Sequence, residues 1–406
     1  MASAMRQDPV GRWRLQPARY LVFAIVLIVA SVVRPAARQT SRCELPTPIG
    51  RVVRVSSFDE LQQSLRSAVE GDTIVIKPGR IVLKSPVNVD IPGVTLMGEA
   101  SESLADPRRV VLDGGSMGAA GVLVGLSVNA PRVTIANLTV QNVRFHAVQV
   151  RGERKADGFR LLSARLLDAG EQLMKISASP GGGYADGGLV ACSELAYTDH
   201  APSDYTNAVD LLAGKGWVIR DNTISRIRGP VTGGWSAGPA ILAWSAAEET
   251  IVERNLIVDS YRGIALGIVP GTNMYSRNGE RGYDHRGGIV RNNVVVNLNR
   301  WADEGIEATY APGVRIEHNT VLVEGTLAWS ISVRFPLTDA VVRQNLTNRL
   351  VLARDGAKLQ AEGNVTGARR DWFVAVPGNM RLTGTALDRA AGAGAVEMPV
   401  PMNLTP

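Results

Sequence analysis

Residues 250–258 read TIVERNLIV: an asparagine, Asn255, set between two short apolar runs. The same arrangement recurs as VTIANLTV (133–140), WVIRDNTI (217–224), GIVRNNVVV (288–296), VRIEHNTVLV (314–323) and AVVRQNLT (340–347). FRLLSARLL (159–167) and LVACSEL (189–195) count as degenerate copies centred on Ala164 and Ser193. Successive intervals from Asn137 to Asn345 are then 27, 29, 29, 33, 38, 26 and 26 residues. A fixed motif at variable spacing means stacked coils that carry loops of different length.

A second motif follows each copy of the first: FHAVQV (145–150), LMKISA (173–178), NAVDLL (207–212), PAILAW (239–244), RGIALG (262–267), EGIEAT (304–309) and WSISVR (329–334). Most read small, apolar, outward, apolar. Side chains alternate along a strand, so Val148, Met174, Val209, Ile241, Ile264, Ile306 and Ile331 are expected to point inward. Gln149, Lys175, Asp210, Leu242, Ala265, Glu307 and Ser332 then form an outward column. Two positions back runs a bend column of His146, Gln172, Asn207, Pro239, Arg262 and Glu304. Strands that repeat and stack coil on coil specify an all-β, right-handed parallel β-helix, with asparagines at tight bends bonding to their copies in adjacent coils. The asparagines are therefore read as structural, including the sequons at Asn137 and Asn345. One helix is expected, near 57–69. Ser57-Phe58-Asp59-Glu60 has capping-box spacing, and Leu61, Leu65, Ala68 and Val69 share a face.

Among 406 residues, 44 are Lys or Arg and 38 Asp or Glu, but seven arginines and one aspartate lie in residues 1–42. The remainder is balanced at 37 of each sign, so a nucleic-acid footprint has no support there. Arginines 6, 12, 14 and 19 precede a fourteen-residue apolar run, Tyr20–Val33, which is short for a spanning helix of roughly 20 residues and matches an export signal. Arg34 and Pro35 spoil the cleavage site before Ala37, so residues 1–42 are expected to be a signal peptide or an uncleaved signal-anchor. That segment supplies any membrane contact, and the rest is expected to be periplasmic or secreted. Residues 43–390 are expected to form the β-helix, as a monomer, and 391–406 a C-terminal tail. Cys43 and Cys192 could pair, but two idle thiols are the simpler expectation.

The run FDELQQSLRSAVEGDTIVIKPGRI (58–81) followed by Asn-marked coils resembles the right-handed β-helix proteins of the pectin-lyase superfamily, over roughly 51–390. EQLMKIS, YTNAVDLLAGKGWVIRDN, AGPAILAWS, RGIALG and DHRGGIVRNN resemble exported bacterial β-helix proteins near the chondroitinase B and alginate lyase group. The resemblance implies a polysaccharide-directed protein. Those relatives usually carry a His where this chain reads Asp210-Leu211-Leu212-Ala213, and its C-terminal run after Thr385 resembles a worn acidic closing segment.

Long insertions at 178–188, 199–206, 229–238 and 268–288 adjoin the outward column and would wall a binding face. Their Tyr184, Tyr205, Trp235, Tyr275 and Tyr283, with Trp244 and Trp301, could stack on sugars or simply pack the loops. β-Elimination from a uronic acid needs a cation for the carboxylate, a base for the C5 proton and an acid for the leaving oxygen. Lys175, Asp210, Arg262, His285 and Arg334 are the catalytic candidates; a lysine among arginines could serve as base if its pKa fell. His146, Tyr205, Trp235, Trp244, Arg286, Glu304 and Glu307 are substrate-binding candidates. His200 and His318 are read as structural or exposed. Hydrolysis by Asp210, Asp303, Glu304 and Glu307 is a second enzymatic option, and the same carboxylates could take Ca²⁺, although no dedicated metal motif is present. The competing class is a non-catalytic glycan-binding or envelope-structural β-helix.

Overall fold

A computed structural model describes residues 43–100, 106–268, 275–277, 279–390 and 392–397. The expected signal lies outside them. The chain winds into a right-handed parallel β-helix of three parallel sheets, of twelve, ten and ten strands. One full coil runs from Leu189–Ala191 through Glu194–Ala196 and Val209–Leu212 to Val218–Arg220, which pairs in parallel with the strand that began it. Side chains from all three sheets fill the interior, where Phe159, Tyr197 and Trp217 are fully buried.

The helix spans Phe58–Arg66 and closes one end of this core with Phe58, Leu61 and Leu65. Ser57 Oγ accepts from the Glu60 amide at 3.3 Å, as its spacing predicts. The returning carboxylate of Glu60 reaches the amide of Ser56 rather than Ser57, at 2.7 Å.

The asparagine ladder is continuous. Asn222, Asn255, Asn293, Asn319, Asn345 and Asn364 each carry a side-chain amide or oxygen bonded to the next member, at 2.9–3.0 Å. The left-handed bend falls one residue earlier, at Asp221, Arg254, Asn292, His318 and Gln344, and finally at Gly363, where no Cβ opposes it. This separates two roles that the sequence pattern merges. Asn137 aligns with Ser163 and Cys192 in the bend column, and Leu138 takes its place in the ladder. Asn137, at φ 51°, bonds instead to the Gly98 carbonyl at 3.0 Å. His318 is one of the bend residues, in keeping with a structural role.

Two segments cover outer faces. Cys43 and Leu45 pack on Val75, Met97, Ala136, Leu162 and Ala191, a stripe outside the twelve-stranded sheet. Cys43 is joined there to Cys192 in a disulfide with Cα atoms 5.6 Å apart, contrary to the expectation of idle thiols. The two lie 149 residues apart, and only the coiling brings Cys192 beneath the N-terminal strap. On the second ten-stranded sheet, whose strands include Val294–Asn297 and Thr320–Val323, Phe373, Met380, Ala390 and Ala393 cover Val294, Val296, Leu322 and Leu346.

Candidate functional site

The remaining ten-stranded sheet runs from Val87–Val89 to Leu350–Arg354 and carries the columns expected from alternation. Strand pairing aligns Gln149, Lys175, Asp210, Leu242, Ala265, Glu307 and Ser332, coil by coil. Their inward neighbours from Val148 to Ile331 are buried as expected. Burial of the outward column itself is the surprise. Lys175 is 8%, Asp210 0%, Glu307 6% and Ser332 0% exposed, because loops and neighbouring side chains cover much of this face.

Near the middle of the sheet, Lys175 makes an ion pair with Asp210, whose other oxygen accepts from the Trp244 indole N–H at 2.7 Å. Lys175 Nζ also donates to the Tyr205 hydroxyl at 2.9 Å. Burial works against the lysine's charge, but the charge and hydrogen bond of Asp210, helped by Tyr205, outweigh it and hold the amine above the ordinary lysine value. Lys175 is thus held as an ammonium, the form that offsets negative charge rather than the free amine that a base requires. Tyr205 is 49% exposed and accepts from the ammonium, which leaves its own hydrogen free to point outward. His146 lies on the same face, largely buried, with Nε2 4.0 Å from Glu171. Burial, then the charges of Lys175 and Arg151, push its imidazole down to about 4, so it is neutral near pH 7.

Three coil steps further on is a second cluster. Arg262 is paired with Asp303, while Arg334 approaches Glu307 at 3.5 Å and holds Asp355 at 2.8 Å. Glu307 Oε1 also accepts from Thr309 at 3.0 Å. Glu304 Oε1 and Ser332 Oγ are buried without a hydrogen-bond partner. The Ser332 hydroxyl is near enough to favour the Glu304 carboxylate slightly, though it does not reach bonding geometry. Burial, then the charge of Glu307, push the Glu304 carboxyl up to about 8. Here the surplus carboxylate is managed by a proton. Among the described residues no group of three or more Asp, Glu, His or Cys side chains is arranged to hold a metal ion. Of the carboxylates considered for Ca²⁺, Asp210 pairs with Lys175, Asp303 with Arg262 and Glu307 with Arg334.

Other candidates are elsewhere. His285 is fully buried at a coil corner, paired beside Ala247, with Nε2 3.0 Å from Thr250 Oγ1. Burial drives it down to about 3, and it does not join the outward column. Arg286, next in that strand, lies over the Tyr283 ring at 4.0 Å and pairs with Glu280. Trp235 stacks among Trp301, His200 and Arg228 within its loops, and Tyr184 carries Arg277 over its ring. These rings make contacts between loops. The sequence pattern missed an open part of the same sheet. Its first coils form a cleft of about 590 Å³ lined by Asn88, Asp90, Ser127, Asn129, Arg151 and Arg154. Ser127 pairs with Gln149 and Gln149 with Lys175, so the cleft spans the three coils before Lys175, with Asn88 in the furthest and Arg151 in the nearest. The signal was present in the alternation, since Asn88 and Ser127 continue the outward column.

No protein-family model and no curated protein matches this chain. Among solved structures, pectate lyase Pel9A is similar with a TM-score of 0.51 at 10% identity, over 83% of this chain and 86% of that one. A mannuronic-acid-specific polysaccharide lyase from human gut microbiota matches at 0.49 and 11% identity, over 81% and 84%. An alginate lyase from a Paenibacillus strain matches at 0.43 and 12% identity, over 78% and 99%. The pectate lyase match is one of fold, and that fold is the parallel β-helix built by the Asn-marked coils.

Proposed function

We propose that this chain is an exported β-helix protein that acts on an acidic polysaccharide laid along the ten-stranded face, by β-elimination at a uronic acid unit. The observation that carries the reading is the Lys175–Tyr205 contact beside Asp210. It places a fixed ammonium and an outward phenol together on a face adjoined by an open polar cleft. In this reading Lys175 offsets charge that builds on the carboxylate side of the sugar. Tyr205 gives its proton to the leaving oxygen, and the neutral His146 is the nearby acceptor for the C5 proton. The fold shared with a pectate lyase agrees with the substrate class, and the Cys43–Cys192 disulfide agrees with an oxidising, extracytoplasmic compartment.

A second reading, glycan binding without turnover, is favoured by one specific observation. An imidazole with a pKa of about 4 is a weak base, and Lys175 is not free to replace it. Turnover of galacturonate, mannuronate and guluronate polymers, followed by the ultraviolet absorbance of unsaturated products, decides between them. The lyase reading expects absorbance growth that Tyr205→Phe reduces about 10²-fold or more, with melting unchanged. Growth that is indifferent to Tyr205 would move the chemistry off this cluster, and no growth on any polymer would leave the binding reading.

A further inference from the structure

The cleft at the first coils of the ten-stranded face has features that loop packing does not account for. Its floor is a chain of hydrogen bonds. Asn129 donates to Asp90 at 2.7 Å, Ser127 Oγ donates to Asn129 Oδ1 at 3.1 Å, and Arg151 Nε donates to Ser127 Oγ at 3.1 Å. Arg151 is steadied further by Glu153 at 3.2 Å, itself held by Ser177 at 2.7 Å. The guanidinium of Arg151 is therefore oriented before any ligand arrives, which lowers the ordering cost of binding. Arg154 is exposed at the rim, with no carboxylate paired to it among the described residues.

The lining contains no aromatic or aliphatic side chain. Ligand pockets are usually mostly apolar, so a purely polar cleft of this volume suits a ligand rich in hydroxyls rather than a hydrophobic one. Two guanidinium groups at one side add a preference for a planar or tetrahedral oxyanion, which arginine binds with paired N–H donors. Asn88 and Asn129 bring amide groups of the kind that bond sugar hydroxyls.

We propose that this cleft is an anion-recognising glycan subsite, which takes the carboxylate or sulfate of an acidic sugar unit on the coils preceding Lys175. The proposal rests on the reading of this face as a polysaccharide site and adds the position and charge of the unit recognised. It assigns Arg154 and Arg151 to the anion, and Asn88 and Asn129 to hydroxyls.

Calorimetric titration of the full chain tests it without requiring turnover. The probes are hexamers of galacturonate and mannuronate for the carboxylate, a carrageenan hexasaccharide for the sulfate, and uncharged xylohexaose. The expected result is that at least one acidic probe binds more tightly than xylohexaose and loses about 10-fold or more in Arg154→Ala, the scale of a charge-assisted hydrogen bond. Xylohexaose affinity and melting should stay the same in that variant. Preference for the uronate hexamers names the carboxylate as the anion, and preference for carrageenan names the sulfate. Unchanged acidic-probe affinity in Arg154→Ala and Arg151→Gln, or no binding of any acidic probe, overturns the proposal. An Arg154-dependent acidic probe on a protein without turnover would sustain the subsite and remove the lyase reading.

Discussion

The two buried charge clusters on the ten-stranded face use the same column of the same fold and settle their charges differently. At Lys175 and Asp210 one cation meets one carboxylate, and Tyr205 and Trp244 take up the remaining donor and acceptor. Three coil steps away, or roughly 14 Å at the ~4.8 Å strand spacing, Asp303, Glu304 and Glu307 face Arg262 and Arg334. There Arg262 is paired with Asp303 and only partly offsets the burial and the Glu307 charge that hold the proton on Glu304. Stacked coils permit this contrast because each contributes one residue per column, so charge balance is set locally. The first cluster is thus a one-to-one ion pair, in which burial pushes the Asp210 carboxyl up against the pull of Lys175, whereas the second carries an excess carboxyl as its titrating group.

Breaking the balanced cluster should have the largest effect. Lys175→Met leaves Asp210 buried and unpaired, and should lower stability by about 3–5 kcal/mol in urea unfolding. Adding Asp210→Leu should recover most of that loss, because the uncompensated carboxylate is gone. Failure of the second substitution to recover stability would mean that the pair's contacts to Tyr205 and Trp244, rather than its charge, hold this region. The same reasoning makes Lys175 variants poor single tests of catalysis, since lost turnover and lost folding would coincide.

The titrating cluster should respond to pH with a definite sign. Glu304 has its carboxyl pushed from 4.5 to about 8 in the folded chain, so the folded state binds the proton more tightly than the unfolded one. Its contribution is present in full below about pH 4.5 and is lost as pH rises toward 8. Glu304→Gln keeps the neutral shape and should remove that dependence. Relative to the parent, the variant should gain on the order of a few kcal/mol between pH 5 and pH 9. Parallel stability curves for parent and variant across that range would show that Glu304 ionises freely and that its burial is relieved.

These contrasts mark how far the sequence could be read. Columns were legible because alternation is a property of the strand itself: Val148 inward forces Gln149 outward, and parallel pairing carries the choice to Ile331 and Ser332. The ladder was legible because a run of buried asparagines needs partners. Its register at Asn137 was not, since asparagine is also favoured at left-handed bends, and only strand pairing separates the two positions. Asn364 escaped notice because its coil, KLQAEGNV, is mostly exposed and lacks the apolar flanks. Burial of Lys175 and Asp210, the corner position of His285, and the Cys43–Cys192 bond all depend on how loops and distant segments cross the coil. Local pattern contains no term for that.

The smallest effect sharpens the comparison most. Arg334 is partly exposed, divides its guanidinium between Glu307 at 3.5 Å and Asp355 at 2.8 Å, and should behave as a surface pair in stability. Arg334→Gln should therefore cost no more than about 1 kcal/mol. It should nonetheless alter titration, because Glu307, which Arg334 partly offsets, is the largest charge acting against ionisation of Glu304. Without Arg334 the charge of Glu307 is offset less, so Glu304 should retain its proton to a higher pH. The pH at which the fall in stability ends, set by the folded-state Glu304, should move upward by less than about one unit, as the Coulomb energy of a partly solvated contact allows. In a Glu304→Gln background the same substitution should leave the flattened pH profile nearly unchanged. An equal shift in both backgrounds would place the titration on a group other than Glu304 and dissolve the distinction between a charge-balanced and a proton-balanced cluster.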